Sequence, residues 1–93
     1  MATTVNLDGN IIDSETLFHT AFRDASGVEW YGGNLDALFD LMVGVVSGPI
    51  NIVWTNAARS RSTIGERFDR LLTVIFDAIA YRGDGSINLR LES

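Results

Sequence analysis

Alternating apolar and polar residues predict three β-strands in this chain. The first strand covers Thr3–Leu7 and the second covers Ile50–Thr55. In the third, Ile87, Leu89 and Leu91 alternate with polar residues, which is typical of a strand with one buried face. Turn-forming residues, mainly Gly, Asp, Ser and Pro, lie next to these segments. We therefore expect a sheet of three short strands.

Three other stretches repeat their apolar residues at the spacing of an α-helix. The first begins after Asp13 or Ser14, either of which can cap a helix, and ends near Ala25. The second is capped by Asn34 and extends to roughly Val46. Both combine a polar cap with an apolar stripe, so both are expected to pack against the sheet.

The third predicted helix follows Thr63-Ile64-Gly65-Glu66, which matches a capping box. The helix is predicted to continue to about Tyr81, and its apolar residues at helical spacing are Phe68, Leu71, Leu72, Ile75, Phe76 and Ile79. Residues 56–62, just before it, are mostly polar and are predicted to form a connection with room for a short helical turn. The order of elements is therefore strand, helix, helix, strand, helix, strand.

This order predicts an α/β fold, because strands joined through helices usually run parallel. We expect a small three-stranded parallel sheet packed with three to four helices, in the order β-α-α-β-α-β. The chain has 93 residues and shows neither a linker nor an internal repeat, so we expect a single domain covering residues 1–93.

The second helix has two different faces. One is an apolar stripe formed by Leu35, Leu38 and Met42. The other joins two carboxylates to an aromatic ring and a branched aliphatic residue, and consists of Asp36, Phe39, Asp40 and Val43. A face that meets only water more often carries Lys, Glu, Gln and Arg. We interpret this acidic and partly apolar face as a surface for a basic partner, although Asp36 would also suit the helix dipole and Asp40 a plain solvated position.

An aromatic pair, Trp30-Tyr31, stands just before this helix. Two adjacent rings do not easily fill the same part of a core, so we expect one of them to point outwards, where aromatic residues favour binding. Gly32, Gly33 and Gly44 would let the backbone of a partner come close, or they serve only as turn and cap residues.

The net charge of −5 is unevenly distributed. The first 58 residues hold seven acidic side chains and one basic side chain, whereas residues 59–93 hold five acidic and six basic ones. An acidic surface argues against nucleic-acid binding, which needs a basic footprint. It suits a basic protein partner, because opposite charges steer association, but it also suits solubility alone.

Several kinds of site are disfavoured by the residues present. The chain has no cysteine, so disulfides and thiolate metal sites are excluded. The one histidine, His19, falls on the polar side of the first helix and is predicted to lie at the surface. A hard cation at Asp36 and Asp40 is conceivable but has no loop signature to support it. We expect no metal, no cofactor and no catalytic residue.

No segment predicts a membrane span or a signal peptide. The most apolar stretch, Leu41–Trp54, is interrupted by polar residues and is shorter than the roughly 20 residues that a spanning helix needs. The first residues carry neither a basic stretch nor a long apolar run. We expect a cytoplasmic protein that is monomeric when free and does not bind membranes.

The segment from Trp30 to Asp40 resembles the barstar family, whose members are intracellular inhibitors of secreted microbial ribonucleases. The likeness centres on Tyr-Gly-Gly-Asn-Leu-Asp-Ala-Leu-Phe-Asp at 31–40, and chain length and element order also fit. The resemblance implies that the second helix blocks a ribonuclease active site, with Asp40 as the central anion and Asp36 as its support. The implied partner-binding residues are Trp30, Tyr31, Asn34, Asp36, Phe39, Asp40, Val43 and Gly44.

The chain differs from the family pattern at several places in the proposed surface. Gly33 stands where the family has Glu, Phe39 where it has Trp, and Val45 where it has an aromatic residue. The family also uses a Glu of the third long helix as a contact. Ala78 aligns with that Glu, and Asp77 lies one step away on a different face of the helix.

Three functions remain open from the sequence. The first is inhibition of a basic, extracellular-type microbial ribonuclease. The second is an adaptor or immunity protein for a different basic partner. The third is an enzyme that uses Asp36 and Asp40 as an acid–base pair, and it is disfavoured because no nucleophile, pocket or cofactor motif accompanies the two carboxylates.

Overall fold

The sheet forms from the three predicted segments. In the computed structural model, which describes residues 2–93, the strands are β1 (Thr3–Asp8), β2 (Ile50–Thr55) and β3 (Ile87–Leu91). All three are parallel, and β2 lies in the centre. The predicted α/β fold class is therefore confirmed, and the strand order, which the sequence does not determine, is β1-β2-β3.

One face of the sheet supplies the core. The alternation places Val5, Ile52 and Trp54 on the same face, where each is at most 1% exposed. Residues at the intervening positions are exposed on the edge strands, such as Thr4 and Asn88, and half-buried on the central strand, such as Val53. Parallel sheets usually have both faces covered, whereas the second face of this sheet is mostly polar and in part accessible to water.

The first helix, α1 (Glu15–Ser26), has caps at both ends. The hydroxyl of Ser14 accepts a hydrogen bond of 3.2 Å from the N–H of Leu17, and Gly27 ends the helix in the left-handed conformation. Its apolar stripe buries Phe18 and Phe22 completely. The helix therefore lies where its sequence pattern predicts.

The second helix is a regular α-helix that ends in a wider turn. It comprises α2 (Leu35–Asp40) and a π-helical turn over Leu41–Val45. The guanidinium of Arg82 donates to the carbonyl oxygen of Met42 within the turn at 3.1 Å, and to those of Val46 and Gly48 beyond it at 3.4 Å and 3.3 Å. These bonds satisfy carbonyls that the end of a helix leaves free. They also fix α2 against the last residue of the fourth helix.

The connection predicted at residues 56–62 is wrong, because the chain there forms a full helix, α3 (Ala57–Ile64). Its first residues are held by tertiary contacts. The carboxylate of Asp8 accepts from the side-chain amide of Asn56 at 3.0 Å, and Asn56 has a left-handed backbone with φ of 51°. The N–H of Ala57 also donates to the carbonyl oxygen of Glu92 at 2.8 Å, so the start of this mostly polar helix is held by contacts with two distant segments.

The predicted capping box at Thr63 is also wrong. Thr63 lies inside α3, where its hydroxyl donates to the carbonyl oxygen of Arg59 at 3.0 Å. The fourth helix, α4 (Glu66–Arg82), starts after Gly65, which provides no side-chain cap. No helix in the described part of the chain is both long and apolar enough to cross a membrane.

Candidate partner-binding surface

The cap at Asn34 sets the direction of α2. The side-chain oxygen of Asn34 accepts a hydrogen bond of 2.8 Å from the N–H of Ala37. Leu38, Leu41 and Met42 are buried on one side of the helical segment. Since helical geometry places the remaining residues opposite this anchored side, the acidic face points away from the core.

The two carboxylates predicted to bind a partner lie on that outward face. Asp36 and Asp40 are both exposed and are one helical turn apart. Among residues 2–93, neither carboxylate accepts a hydrogen bond or joins an ion pair. Asp36 lies in the first turn, where its charge favours the helix dipole, but both carboxylates remain accessible to a cationic group from outside.

Phe39 places an aromatic ring beside the row of the two carboxylates, on the side that faces α4. Its ring meets that of Tyr81 edge to face, with the centroids 5.6 Å apart. Phe39 and Val43 are half-buried, while Tyr81 is 70% exposed. Tyr81 is a surface residue that the sequence did not single out, although its position outside the apolar stripe of α4 signalled an exposed aromatic ring.

The aromatic pair before α2 divides as expected, with one ring outside and one inside. Trp30 is 73% exposed, whereas Tyr31 is 3% exposed. Burial raises the pKa of Tyr31 above its ordinary value, although the charge of Arg23 acts in the opposite direction. The indole of Trp30 is therefore accessible from outside, whereas the side chain of Tyr31 leaves little area to contact.

The prediction that His19 lies at the surface is wrong. His19 is 4% exposed, and its Nδ1 is hydrogen-bonded to the hydroxyl of Tyr31. Its Nε2 lies 3.0 Å from a carboxylate oxygen of Glu15. The apparent polar side of α1 is covered by the segment that carries Tyr31, and this contact between residues 12 positions apart has no local signature in the sequence.

A small pocket opens between the aromatic pair and α2. Its volume is about 120 Å³. Its walls are largely apolar with one carboxylate, and the lining residues are Trp30, Tyr31, Gly32, Ala37, Asp40, Leu41 and Val45. A pocket of this chemistry suits a cationic side chain whose charge reaches Asp40 while its stem packs against the indole.

Two of the three glycines near α2, Gly33 and Gly44, differ in their structural role. Gly33 has φ of 70°, a conformation that favours glycine, and an added Cβ would lie 3.6 Å from Arg23 and 3.8 Å from His19. Gly44 has no atom within 4 Å of an added Cβ. The fold therefore explains Gly33 as a turn residue, but it does not require a glycine at position 44.

On α4, the two candidates for a further contact lie in opposite environments. Ala78 is completely buried, whereas Asp77 is exposed. Asp77 precedes Tyr81 by four residues and so lies on the same side of the helix. Of these two residues, only Asp77 is accessible to a partner.

The surface also lacks the donors of a metal site. Within residues 2–93, no group of three or more His, Cys, Asp or Glu side chains could hold a metal ion.

Seven exposed or half-buried residues on α2 and next to it form what we call the α2 surface. They are Trp30, Asn34, Asp36, Phe39, Asp40, Val43 and Gly44.

Comparison with known proteins places the chain in a family. The family model described as Barstar (barnase inhibitor) matches residues 2–92. The chain is also 33% identical over 73 residues to a Bacillus subtilis (strain 168) protein named "Putative ribonuclease inhibitor YrdF", which corresponds to 77% of this chain and 80% of that protein. The resemblance found in the sequence is thus confirmed, and the chain belongs to the barstar family.

Proposed function

We propose that the protein inhibits a basic, extracellular-type microbial ribonuclease by covering the active site of the enzyme with the α2 surface. The family description and the name of the Bacillus subtilis relative support ribonuclease inhibition in general. The observation that carries the mechanism is the pair of exposed carboxylates, Asp36 and Asp40, on one face of an anchored helix.

The carboxylates act as substitutes for RNA phosphate. A ribonuclease cleft that binds RNA presents Arg, Lys and His side chains to the phosphate groups of its substrate. Carboxylate oxygens accept charge-assisted hydrogen bonds from the same donors, and arginine can bind a carboxylate through two parallel bonds. Asp40 is the central anion in this mechanism, because it also borders the pocket beside Trp30. Asp36 lies one turn away and supports it.

The apolar groups around the carboxylates exclude water. Trp30, Phe39 and Val43 border the acidic face and would be covered in the complex. Removing water lowers the local dielectric constant, which strengthens each pairing between a carboxylate and a cation. A desolvated carboxylate without a cation is costly, so the same groups also give specificity for a basic cleft.

The adjacent side of α4 extends the surface. Tyr81 contacts Phe39, and Asp77 lies one turn before Tyr81. Asp77 therefore serves as the acidic contact of α4 in this mechanism, in place of the family's Glu. The inhibitor covers the enzyme with two neighbouring helices, with Asp40 near the centre of the contact.

Titration into a panel of basic microbial ribonucleases tests the proposal. RNA cleavage should be abolished at near-equal concentrations of inhibitor and enzyme, and association should slow as salt is added, because exposed charges are screened. Asp40→Ala should raise the inhibition constant at least about 100-fold, since it leaves cationic groups buried without a partner. Glu66→Ala is the matched control, because it removes an exposed acidic residue at the opposite end of α4.

Two results would contradict the proposal. If no ribonuclease is inhibited at micromolar inhibitor, the mechanism is wrong, and recovery of a basic protein without nuclease activity would favour the adaptor or immunity function. If Asp40→Ala and Glu66→Ala have equal small effects, Asp40 is not the central anion.

A further inference from the structure

A series of hydrogen-bonded polar groups, buried at His19 and Tyr31 and half-buried at Glu15, connects α1 to the segment before α2. Residues 28–34, which we call the entry loop, lead into Leu35 at the start of α2. His19 projects from α1 under this loop and is hydrogen-bonded through both ring nitrogens, to Tyr31 on one side and to Glu15 on the other. The proposed inhibition of a ribonuclease by the α2 surface does not involve these hydrogen bonds.

Both ring nitrogens of His19 face a hydrogen-bonding partner. Burial raises the pKa of Tyr31, so its hydroxyl keeps its proton, and this hydroxyl can donate to or accept from Nδ1 of His19. Nε2 lies 3.0 Å from a carboxylate oxygen of Glu15, which accepts the hydrogen bond when Nε2 carries a proton. The second oxygen of Glu15 lies 3.4 Å from Nε of Arg67, so the series of polar contacts extends from α1 to α4.

Tyr31 is held at three further points. Its carbonyl oxygen accepts a bond of 2.9 Å from the guanidinium of Arg23, which also lies 6.0 Å from the ring centroid. Its backbone N–H donates to the carbonyl oxygen of Val28 at 3.1 Å. Trp30 and Gly32 are its chain neighbours, so fixing Tyr31 fixes one wall of the pocket that Asp40 borders.

A buried polar chain is not the simplest way to fill this space. An apolar residue at position 19 would avoid the cost of desolvating an imidazole and a carboxylate. Hydrogen bonds have strict geometry, and a fully satisfied buried network favours one arrangement of the groups that it joins. The hydrogen bonds of His19 therefore hold the entry loop in one position. Apolar packing alone would fix that position less strictly.

We propose that His19 is a positioning residue for the partner-binding surface, holding Trp30 in its place relative to Asp40 through the hydroxyl of Tyr31. This inference rests on the proposed function of the α2 surface. His19 itself is buried and does not touch the partner. It acts by ordering the entry loop before the complex forms, which reduces the entropy that binding would otherwise cost.

Two substitutions of His19 separate this role from simple filling of space. Asn carries a polar atom near the position of Nδ1 and can retain the bond to Tyr31, whereas Gln carries one near Nε2 and can retain only the bond to Glu15. Asn leaves the larger cavity and is the poorer helix former inside α1, so urea unfolding should show at least as great a loss of stability for His19→Asn as for His19→Gln. Tyr31→Phe removes the hydroxyl while keeping the ring, and so breaks the same bond from the other side.

The first measurement uses the free protein. Hydrogen exchange of the Tyr31 amide should be about fivefold faster in His19→Gln and Tyr31→Phe than in the original protein, because the opening of the loop no longer breaks a buried hydrogen bond. His19→Asn should exchange at nearly the original rate. The amide of Leu41 at the end of α2 should be unaffected, since it donates to the carbonyl oxygens of Ala37 and Leu38, which lie outside the entry loop.

The second measurement is the dissociation constant for a ribonuclease that the original protein inhibits. It should rise about five- to tenfold for His19→Gln and Tyr31→Phe, and less for His19→Asn. Equal exchange rates and equal affinities for Asn and Gln would overturn the inference while leaving ribonuclease inhibition intact. Absence of inhibition by the original protein would instead overturn the proposed function, and the exchange rates would still decide whether His19 holds the loop.

Discussion

The ring of Phe39 in α2 contacts the ring of Tyr81 in α4, with the centroids 5.6 Å apart and the planes at 76°. This edge-to-face contact makes two helices contribute to one aromatic surface. Arg82, the next residue of α4, holds the far end of the α2 segment through three carbonyl oxygens. Tyr81 and Arg82 of α4 therefore both help to position α2. Substitutions in α4, and not only those in α2, should change partner binding by the α2 surface.

Tyr81→Ala should weaken the complex with a ribonuclease by about 1–2 kcal/mol, because it removes an exposed ring and leaves Phe39 without its aromatic neighbour. Tyr81→Phe keeps the edge-to-face contact and should bind almost as tightly as the original protein. Titration calorimetry on the two variants measures the difference. Equal affinities for the Ala and Phe variants would show that α4 does not take part.

Gly44→Ala should affect stability and partner binding in different ways. Space is available for a Cβ at this position, and alanine favours a helical conformation over glycine by up to about 1 kcal/mol, so the midpoint of urea unfolding should rise or stay unchanged. The affinity should fall if the backbone of the partner approaches Gly44. If the variant is as stable as the original protein and binds as tightly, the backbone of the partner does not approach Gly44.

Ser60→Ala should destabilise the fold without changing the α2 surface. The hydroxyl of Ser60 accepts from the indole N–H of Trp54 at 2.9 Å and donates to the carbonyl oxygen of Ile12 at 2.9 Å, and the residue is completely buried. Losing it leaves two buried groups unsatisfied, at a cost of about 1–3 kcal/mol in the free energy of unfolding. Ser62→Ala, at an exposed position of the same helix, is the control and should unfold at the original urea concentration.

Tyr31 should make the protein sensitive to alkali. Burial raises the pKa of its hydroxyl in the folded state, so the folded form binds this proton more strongly than the unfolded form does. The resulting stability is complete below the unfolded pKa, near pH 10, and is lost as the pH rises through the folded value.

Urea unfolding between about pH 8 and about pH 11 measures this effect. Tyr31→Phe should lose less stability over the interval than the original protein, even if it is less stable at the lower pH. Tyr81→Phe, which alters an exposed phenol, should keep the original pH dependence. An alkaline loss that is unchanged by Tyr31→Phe would mean that another group causes it.

The features that could be predicted from the sequence are those set by local periodicity. The alternation in Ile50–Thr55 and the cap at Asn34 are properties of neighbouring residues, and the structure confirms both. The outward placement of Asp36 and Asp40 follows from the same reasoning, because the buried side of α2 is determined by Leu38 and its helical neighbours.

The features that the sequence missed depend on contacts between distant segments. Helix α3 has few apolar residues and is held by the contact of Ser60 with Trp54 and Ile12. His19 is buried because Tyr31 reaches it from the entry loop. In both cases a polar side chain that suggests a surface position has a buried partner elsewhere in the chain.

The contrasting positions of the two tryptophans give the protein two separate optical reporters. Trp54 is completely buried against Phe18 and Phe68, whereas Trp30 is largely in water beside Asp40. Covering Trp30 by another protein would move its fluorescence towards shorter wavelengths and leave the emission of Trp54 unchanged, while denaturation would shift Trp54 in the opposite direction. Complex formation and loss of structure can therefore be followed in one spectrum, without attaching any dye.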